Sequence, residues 1–461
     1  MIFKMQHYFC NLIYFNLIQF GNMISRILLL FAFLSLITVG CVHDELSEND
    51  KALNSIIPDK SKYILPDETD YASIPQSPVN PLTKEKIELG KMLFFEPAFA
   101  NEAKRSELMF TFTCSSCHVP EAGFRPGRMQ GIADGGVAFG RKGESRFKFP
   151  LYHNDSIDAQ GARPLVTLNV AYVENSMWNG SFGSEGVNKG TEKMWGVFDP
   201  GTARNHERLG TLEGQNIEGL IVHRMQYTKD IITKAGYKEV FDKAFPDMPE
   251  NERYSRKGAS FAISAYLRQN LTNQAPFQKW LKGDKDAMTE QQKKGAVLFF
   301  GKAGCNSCHF EKNLGSMRFE ALGVDDLYEH GGLKTGPNDR RNLGRGGFTG
   351  RQEDMFKFRT PQLYNLGGTG PYFHGGSIET LEGVVRYFNT GKKQNQRVPD
   401  SQLSSFIKPL GLTEQEIKDL TEFLENGLKD PNLKRYVPER VLSGMCFPNN
   451  DPASKIDMKC N

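Results

Sequence analysis

TCSSCHVP, residues 113–120, and GCNSCHF, residues 304–310, carry the same arrangement: two cysteines three positions apart, with a histidine directly after the second. Two thiols at that spacing can add to the two vinyl groups of one porphyrin. The adjacent imidazole is then held beneath the iron as its proximal ligand, which is the attachment signature of a c-type haem. A zinc site competes for such residues, but it needs four ligands and each motif offers three. A redox disulfide needs the cysteine pair but gives no reason for a histidine beside it twice, and no βαβ pattern surrounds either copy. The expectation is two c-type haems. One is attached through Cys114 and Cys117 with His118 as proximal ligand, the other through Cys305 and Cys308 with His309.

The repeat extends upstream of the cysteines. GKMLFFEPAF (90–99) precedes the first motif and GAVLFFGKAG (295–304) the second, and both contain G-x-x-L-F-F. Each follows a helical start. Thr83 precedes KEKIEL, and Thr289 has Gln292 three residues on, the pattern of a capping box. Ile87, Leu89, Met92, Leu93 and Phe94 recur at helical spacing. TEQEIKDLTEFLENGL (413–428) gives another box, Thr413 with Glu416, and one apolar face of Ile417, Leu420, Phe423 and Leu424. Strand-like alternation is scarce. The pattern predicts a mainly α-helical protein of two related domains, joined by a helical stretch near 256–285.

Composition agrees with two ordinary cores. The 461 residues are 39% hydrophobic and 24% charged, which reads as globular rather than membrane-embedded or disordered. A net charge of +3 is too small to argue for nucleic-acid binding. Residues 23–41, MISRILLLFAFLSLITVGC, place Arg26 before an apolar run that ends at Gly40-Cys41. That resembles a bacterial lipoprotein signal, with Cys41 as the acylated residue and Thr38 where leucine is usual; the alternative is an uncleaved anchor. An exported, oxidising setting suits covalent haem attachment and permits a Cys446–Cys460 bridge in the tail. The polar, acidic residues after Cys41 read as a tether.

LGKMLFFEP, CSSCHVPEAGF, LNVAYVENSMWNG (168–180), LFFGKAGCNSCH, KFRTPQLYNL (357–366) and PYFHGGSIETLEGVV (371–385) follow one another in order. Together they resemble the bacterial di-haem cytochrome c peroxidases and their relatives, the di-haem oxidases that modify protein tryptophans, over residues 75–430. The resemblance implies two c-type cytochrome domains, each enclosing one haem. On this basis the chain divides into a signal (1–41), a tether (42–80), an N-terminal peroxidatic domain (81–255), a helical connection (256–285), a C-terminal electron-transfer domain (286–430) and a tail (431–461). It also implies hydrogen peroxide as substrate, electrons from a small periplasmic cytochrome or cupredoxin entering at the second haem, and Trp178 as the ring between the haems. A homodimer is usual for such proteins. Contact with a membrane is expected only through the lipid anchor, in the periplasm or at the outer membrane.

The implied distal residues match less closely. Gln215 matches the glutamine above the first haem. Where a glutamate is expected, the chain has His223-Arg224: an imidazole that could shuttle a proton or ligate iron, and a cation that could stabilise developing charge. No histidine follows the first motif within 124–149, so the first iron is expected to be open without prior reduction. For the second haem, Phe388 stands where the resemblance puts Met or Tyr, leaving Tyr387 or Met355 as candidate axial ligands. Thr369 and Pro371 match carbonyl ligands of an inter-haem calcium, whose asparagine ligand aligns with Arg163 or Ala162. His374 matches an interface histidine, with Gly375 in place of the usual aspartate. Two other activities compete with peroxide reduction: modification of a protein partner, and electron transfer without peroxide chemistry.

Overall fold

The computed structural model describes residues 46–460; the signal segment and Cys41 lie outside them. The fold is helical. Among the described residues the strands are two residues long and form two antiparallel pairs, 136–137 with 147–148 and 319–320 with 358–359. No described helix is long and apolar enough to cross a membrane.

Seven helices position the site. They are α1 (Glu48–Ile56), α2 (Lys84–Phe94), α3 (Thr211–Val222), α4 (Arg256–Gln269), α5 (Glu290–Phe300), α6 (Leu381–Thr390) and α7 (Glu414–Glu422). The Thr289–Gln292 and Thr413–Glu416 capping boxes both form, and the Thr83 hydroxyl accepts from the Lys86 amide. Each box satisfies two amide donors that an open helix start leaves without partners.

The G-x-x-L-F-F repeat has a packing cause. A β-carbon on Gly90 of α2 would lie 1.9 Å from the Ala262 carbonyl oxygen of α4, and one on Gly295 of α5 would lie 2.0 Å from that of Asp419 in α7. In both halves the opening helix crosses a partner helix backbone to backbone, at a point only glycine permits. The two phenylalanines that follow fill the space beside that crossing. Phe94 meets Tyr266 at 5.4 Å between ring centroids, and Phe299 meets Phe423 at 5.6 Å.

Two hydrophobic cores result. The first gathers α2, α3 and α4, with Leu433, Tyr436 and Val441 of the tail. The second gathers α5, α6 and α7 with Phe277 and Trp280. The stretch expected to link the halves forms α4 and a second helix, Pro276–Leu281.

The segment expected to be a tether is not one from residue 46 onward. Leu53, Ile57 and Leu65 are buried in the second core. Asp50, 1% exposed, accepts from Trp280 Nε1 at 2.7 Å and from Lys293 Nζ at 2.7 Å. Its acidic composition is misleading because one of its carboxylates is an internal ion-pair partner. In the tail, Cys446 and Cys460 form a disulfide. The tail also reaches the first centre, where the buried Asn449 meets Ser116 and Asp451 Oδ1 accepts from the Ala138 amide at 3.0 Å.

Candidate active site

Each C-x-x-C-H motif is one tight turn, Cys114–Ser116 and Cys305–Ser307. The turn closes when the His118 amide donates to the Cys114 carbonyl at 3.1 Å, and that of His309 to Cys305 at 3.0 Å. Nδ1 of His118 lies 3.3 Å from the Phe124 carbonyl oxygen, and Nδ1 of His309 lies 2.8 Å from that of Leu314. A carbonyl only accepts, so Nδ1 carries the proton and Nε2 keeps the lone pair. Burial pushes both imidazoles down to about 4, which keeps them neutral and able to ligate. The first phenylalanine of each L-F-F lies beside its own histidine, with Phe94–His118 and Phe299–His309 both 6.3 Å apart.

Burial pushes the thiols of Cys114, Cys117 and Cys305 up to about 12 and raises that of Cys308. None of the four is in a disulfide. Among the described residues, no three His, Cys, Asp or Glu side chains converge to hold a metal ion. The donor set is that of thioether attachment with one axial imidazole, twice over.

A cavity of about 410 Å³ opens beside Cys305, Cys308 and His309. Leu381, Val384, Val385 and Phe388 of α6 line it, as do Trp178, Phe358 and His374. Arg125 and Arg163 also border it. Burial pushes Arg125 down to about 10 and Arg163, beside it, to about 9. Neither Nε has a hydrogen-bond partner. Arg125, a buried cation at the wall of a mainly apolar cavity and without a carboxylate partner among the described residues, suits a carboxylate of a haem.

The Trp178 indole donates to the Arg163 carbonyl at 2.7 Å. His374 lies parallel to Phe358 at 3.6 Å, and Trp178 stands edge-on to both, at 6.2 and 6.5 Å. His374 Nε2 is 3.0 Å from Asp326 Oδ1, so a distant segment supplies a carboxylate where neighbouring Gly375 cannot. Gln215, on α3, sits with Nε2 3.6 Å from Met177 Sδ, one residue from Trp178.

His223 ends α3, and its Nδ1 is 2.7 Å from Asp158 Oδ2. Burial opposes the imidazolium, but the Asp158 carboxylate outweighs it and the pKa is raised. The pair borders the first motif: the charge of His223 helps depress His118, and that of Asp158 helps raise Cys117.

Four expectations need correction. Arg224 is not free to face a substrate. Its guanidinium binds the buried Asp134, the Tyr152 hydroxyl at 2.8 Å and the Ser156 carbonyl at 2.6 Å, neutralising an internal carboxylate. Tyr387 does not border the cavity. Its hydroxyl donates to the Leu322 carbonyl at 2.5 Å and its ring packs with Val324 and Ile407, so Phe388 is the ring that α6 presents. Met355 packs against Gly346, away from the cavity lining. The Thr369 carbonyl, expected on calcium with that of Pro371, accepts instead from Arg163 Nη2 at 2.9 Å.

Asp158, Asp326, Arg125 and Phe358 were not singled out from sequence. Asp158, Asp326 and Arg125 sit in irregular segments and Phe358 in a two-residue strand, and each acquires its partner only through the fold.

Residues 84–286 match the family model of the di-haem cytochrome c peroxidases. The match spans part of the chain, and named relatives extend the likeness beyond it. It is 29% identical to cytochrome-c peroxidase IdrP1 of Denitromonas iodatirespirans, over 76% of this chain and 84% of that one. It is 29% identical to methylamine utilization protein MauG of Methylorubrum extorquens, over 78% and 82%. The crystal structure of a MauG-like protein associated with microbial copper homeostasis superposes with a TM-score of 0.54 at 25% identity, over 80% of this chain and 95% of that one. By its likeness to the cytochrome-c peroxidases the chain is an oxidoreductase, and the match to the di-haem family implies the two c-type haems for which the site has the donors.

Proposed function

We propose that the protein reduces hydrogen peroxide to water with electrons from a small exported redox protein, a cytochrome or cupredoxin. The observation that carries this reading is the asymmetry between the two motifs. A hydrogen-bonded titratable pair, His223 and Asp158, borders His118, whereas the cavity at His309 is lined mainly by apolar side chains and aromatic rings. One centre is equipped to move protons and the other to hold and pass electrons.

Peroxide reduction consumes two protons and two electrons per molecule and yields two waters. The haem iron, when bound, supplies the bond to peroxide and the redox change. What this chain supplies is placement. Asp158 holds His223 through Nδ1, leaving Nε2 to deliver a proton to the departing oxygen. The Asp158 carboxylate raises the pKa of the ring, which favours its protonated, proton-donating form. Trp178, His374 and Phe358 form an aromatic wall of the cavity at His309 and would offer a path for electrons between the two haems. Gln215 orients the Met177–Trp178 loop. His118 and His309 would hold the two haem irons, and the haem domains follow the division at 81–255 and 286–430. Export as a periplasmic or outer-membrane lipoprotein through Cys41 completes the reading.

The relatives keep open a second activity, oxidation of a protein partner by the same two centres, which the MauG likeness favours. Peroxide-dependent oxidation of a reduced small cytochrome by the holo-protein, with and without prior reduction, tests the choice. Rapid turnover in both states supports the peroxidase with an open first centre. No turnover in either state removes it, and leaves electron transfer or protein modification.

A further inference from the structure

Arg163 makes an unusual set of contacts. Its Nη2 lies 3.3 Å from the Pro126 carbonyl oxygen, 3.5 Å from that of Arg128, 2.9 Å from that of Thr369 and 3.2 Å from that of Gly370. A guanidinium nitrogen has at most two hydrogens to donate, so four converging oxygens exceed what hydrogen bonding requires. Backbone oxygens gathered round one point are the coordination shell of a hard cation. Two come from the loop after the first C-x-x-C-H motif and two from the loop before PYFHGG. Arg163 is 2% exposed, and the hydrogen-bond partners of its guanidinium are backbone carbonyls rather than carboxylates.

The same residue holds both edges of the aromatic wall. Its amide donates to the His374 carbonyl at 2.7 Å, and its carbonyl accepts from Trp178 Nε1 at 2.7 Å. One side chain thus ties the loops of the two halves together, while its own backbone fixes the two rings between them.

We propose that Arg163 is a resident cation and a positioning residue. Its guanidinium fills a four-carbonyl cage that would otherwise take a divalent ion, so Trp178 and His374 are held without a metal. Calcium is the class of ion the cage would accept once the side chain is removed, because all four ligands are neutral backbone oxygens from two loops. This does not rest on the peroxidase reading, since its test is metal binding rather than turnover.

The holo-protein is assayed first. Wild type treated with EGTA should contain no calcium by elemental analysis and should keep its thermal midpoint and haem absorption spectrum. Stoichiometric calcium whose removal shifts either would overturn the proposal. Arg163→Asn, which opens the cage and adds a carbonyl oxygen, should bind about one calcium ion by titration calorimetry. Calcium should then return the separation between its two haem potentials toward the wild-type value. A folded Arg163→Asn protein that binds no calcium, or whose potentials ignore it, overturns the proposal. Should that variant not fold, Arg163→Lys decides: a retained fixed cation predicts wild-type potentials without calcium, and altered potentials that calcium restores would overturn it.

Discussion

The two halves differ less in scaffold than in lining. In each, a threonine-capped helix crosses a second helix at a glycine, and the next phenylalanines lead to the histidine of the C-x-x-C-H motif, oriented by a backbone carbonyl. What differs is what borders the motif. The first has His223 held by Asp158; the second has the apolar face of α6 and the aromatic wall. Duplicated architecture fixes where the cofactors go, and a few side chains outside the repeat decide what each centre can do. The comparison can be broken at the attachment residues, at the proton donor, at the glycine crossing and at α6.

The largest effect follows from removing one attachment. Cys114→Ala with Cys117→Ala should leave a protein with one covalent haem, countable by intact mass, and no peroxide turnover. Turnover surviving on the second centre alone would erase the division of labour.

Next is the proton donor. His223→Gln should lower peroxide turnover by about 10²–10⁴-fold, the usual worth of a positioned acid or base. Asp158→Asn removes the group that raises the imidazole, so the alkaline limb of the pH profile should move to lower pH. Stability follows the same sign. A raised histidine pKa contributes in full below the free value of about 6.5 and is lost as pH rises through the folded value. The stability gap between wild type and Asp158→Asn, read by thermal unfolding, should therefore close on the alkaline side.

The glycine crossings test the scaffold. Gly90→Ala or Gly295→Ala drives a methyl group into a backbone carbonyl of the facing helix. Each should cost at least ~1–3 kcal/mol, the range for overpacking a filled contact, as measured by denaturant unfolding. Similar losses in both halves mean that the repeat is structural; a loss in one alone means that only that crossing is tight.

The parts of this arrangement that were legible in the sequence are the local ones. The C-x-x-C-H turns, the threonine caps and the glycine-led helices depend on residues a few positions apart, so spacing reveals them. The pairs that set chemistry are not local: His223 with Asp158 spans 65 residues, His374 with Asp326 spans 48, and Arg163 reaches Thr369 across 206. Composition also misled where a charge is internal. Asp50 made residues 46–57 look like a solvated tether, yet it pairs with Lys293 under Trp280. Arg224 looked like a free catalytic cation because its partner Asp134 lies 90 positions upstream.

The smallest effect tests a neighbour relation on α6. Consecutive helix residues point about 100° apart, so only one of Tyr387 and Phe388 can face the cavity, and it is Phe388. Tyr387 spends its hydroxyl on the Leu322 carbonyl at 2.5 Å, a bond that orders the loop beside the second centre. Tyr387→Phe keeps the ring and deletes that bond, leaving a carbonyl unsatisfied. It should cost about 1 kcal/mol of stability and leave the haem absorption and paramagnetic resonance spectra of the holo-protein unchanged. A tyrosine bound to iron would give the opposite pattern, a changed ligand field at the second haem. Such a spectral change would restore Tyr387 as an axial ligand and require α6 to turn by one residue. An unchanged spectrum means that the second centre owes its character to an apolar ring where the family's pattern leads one to expect a donor.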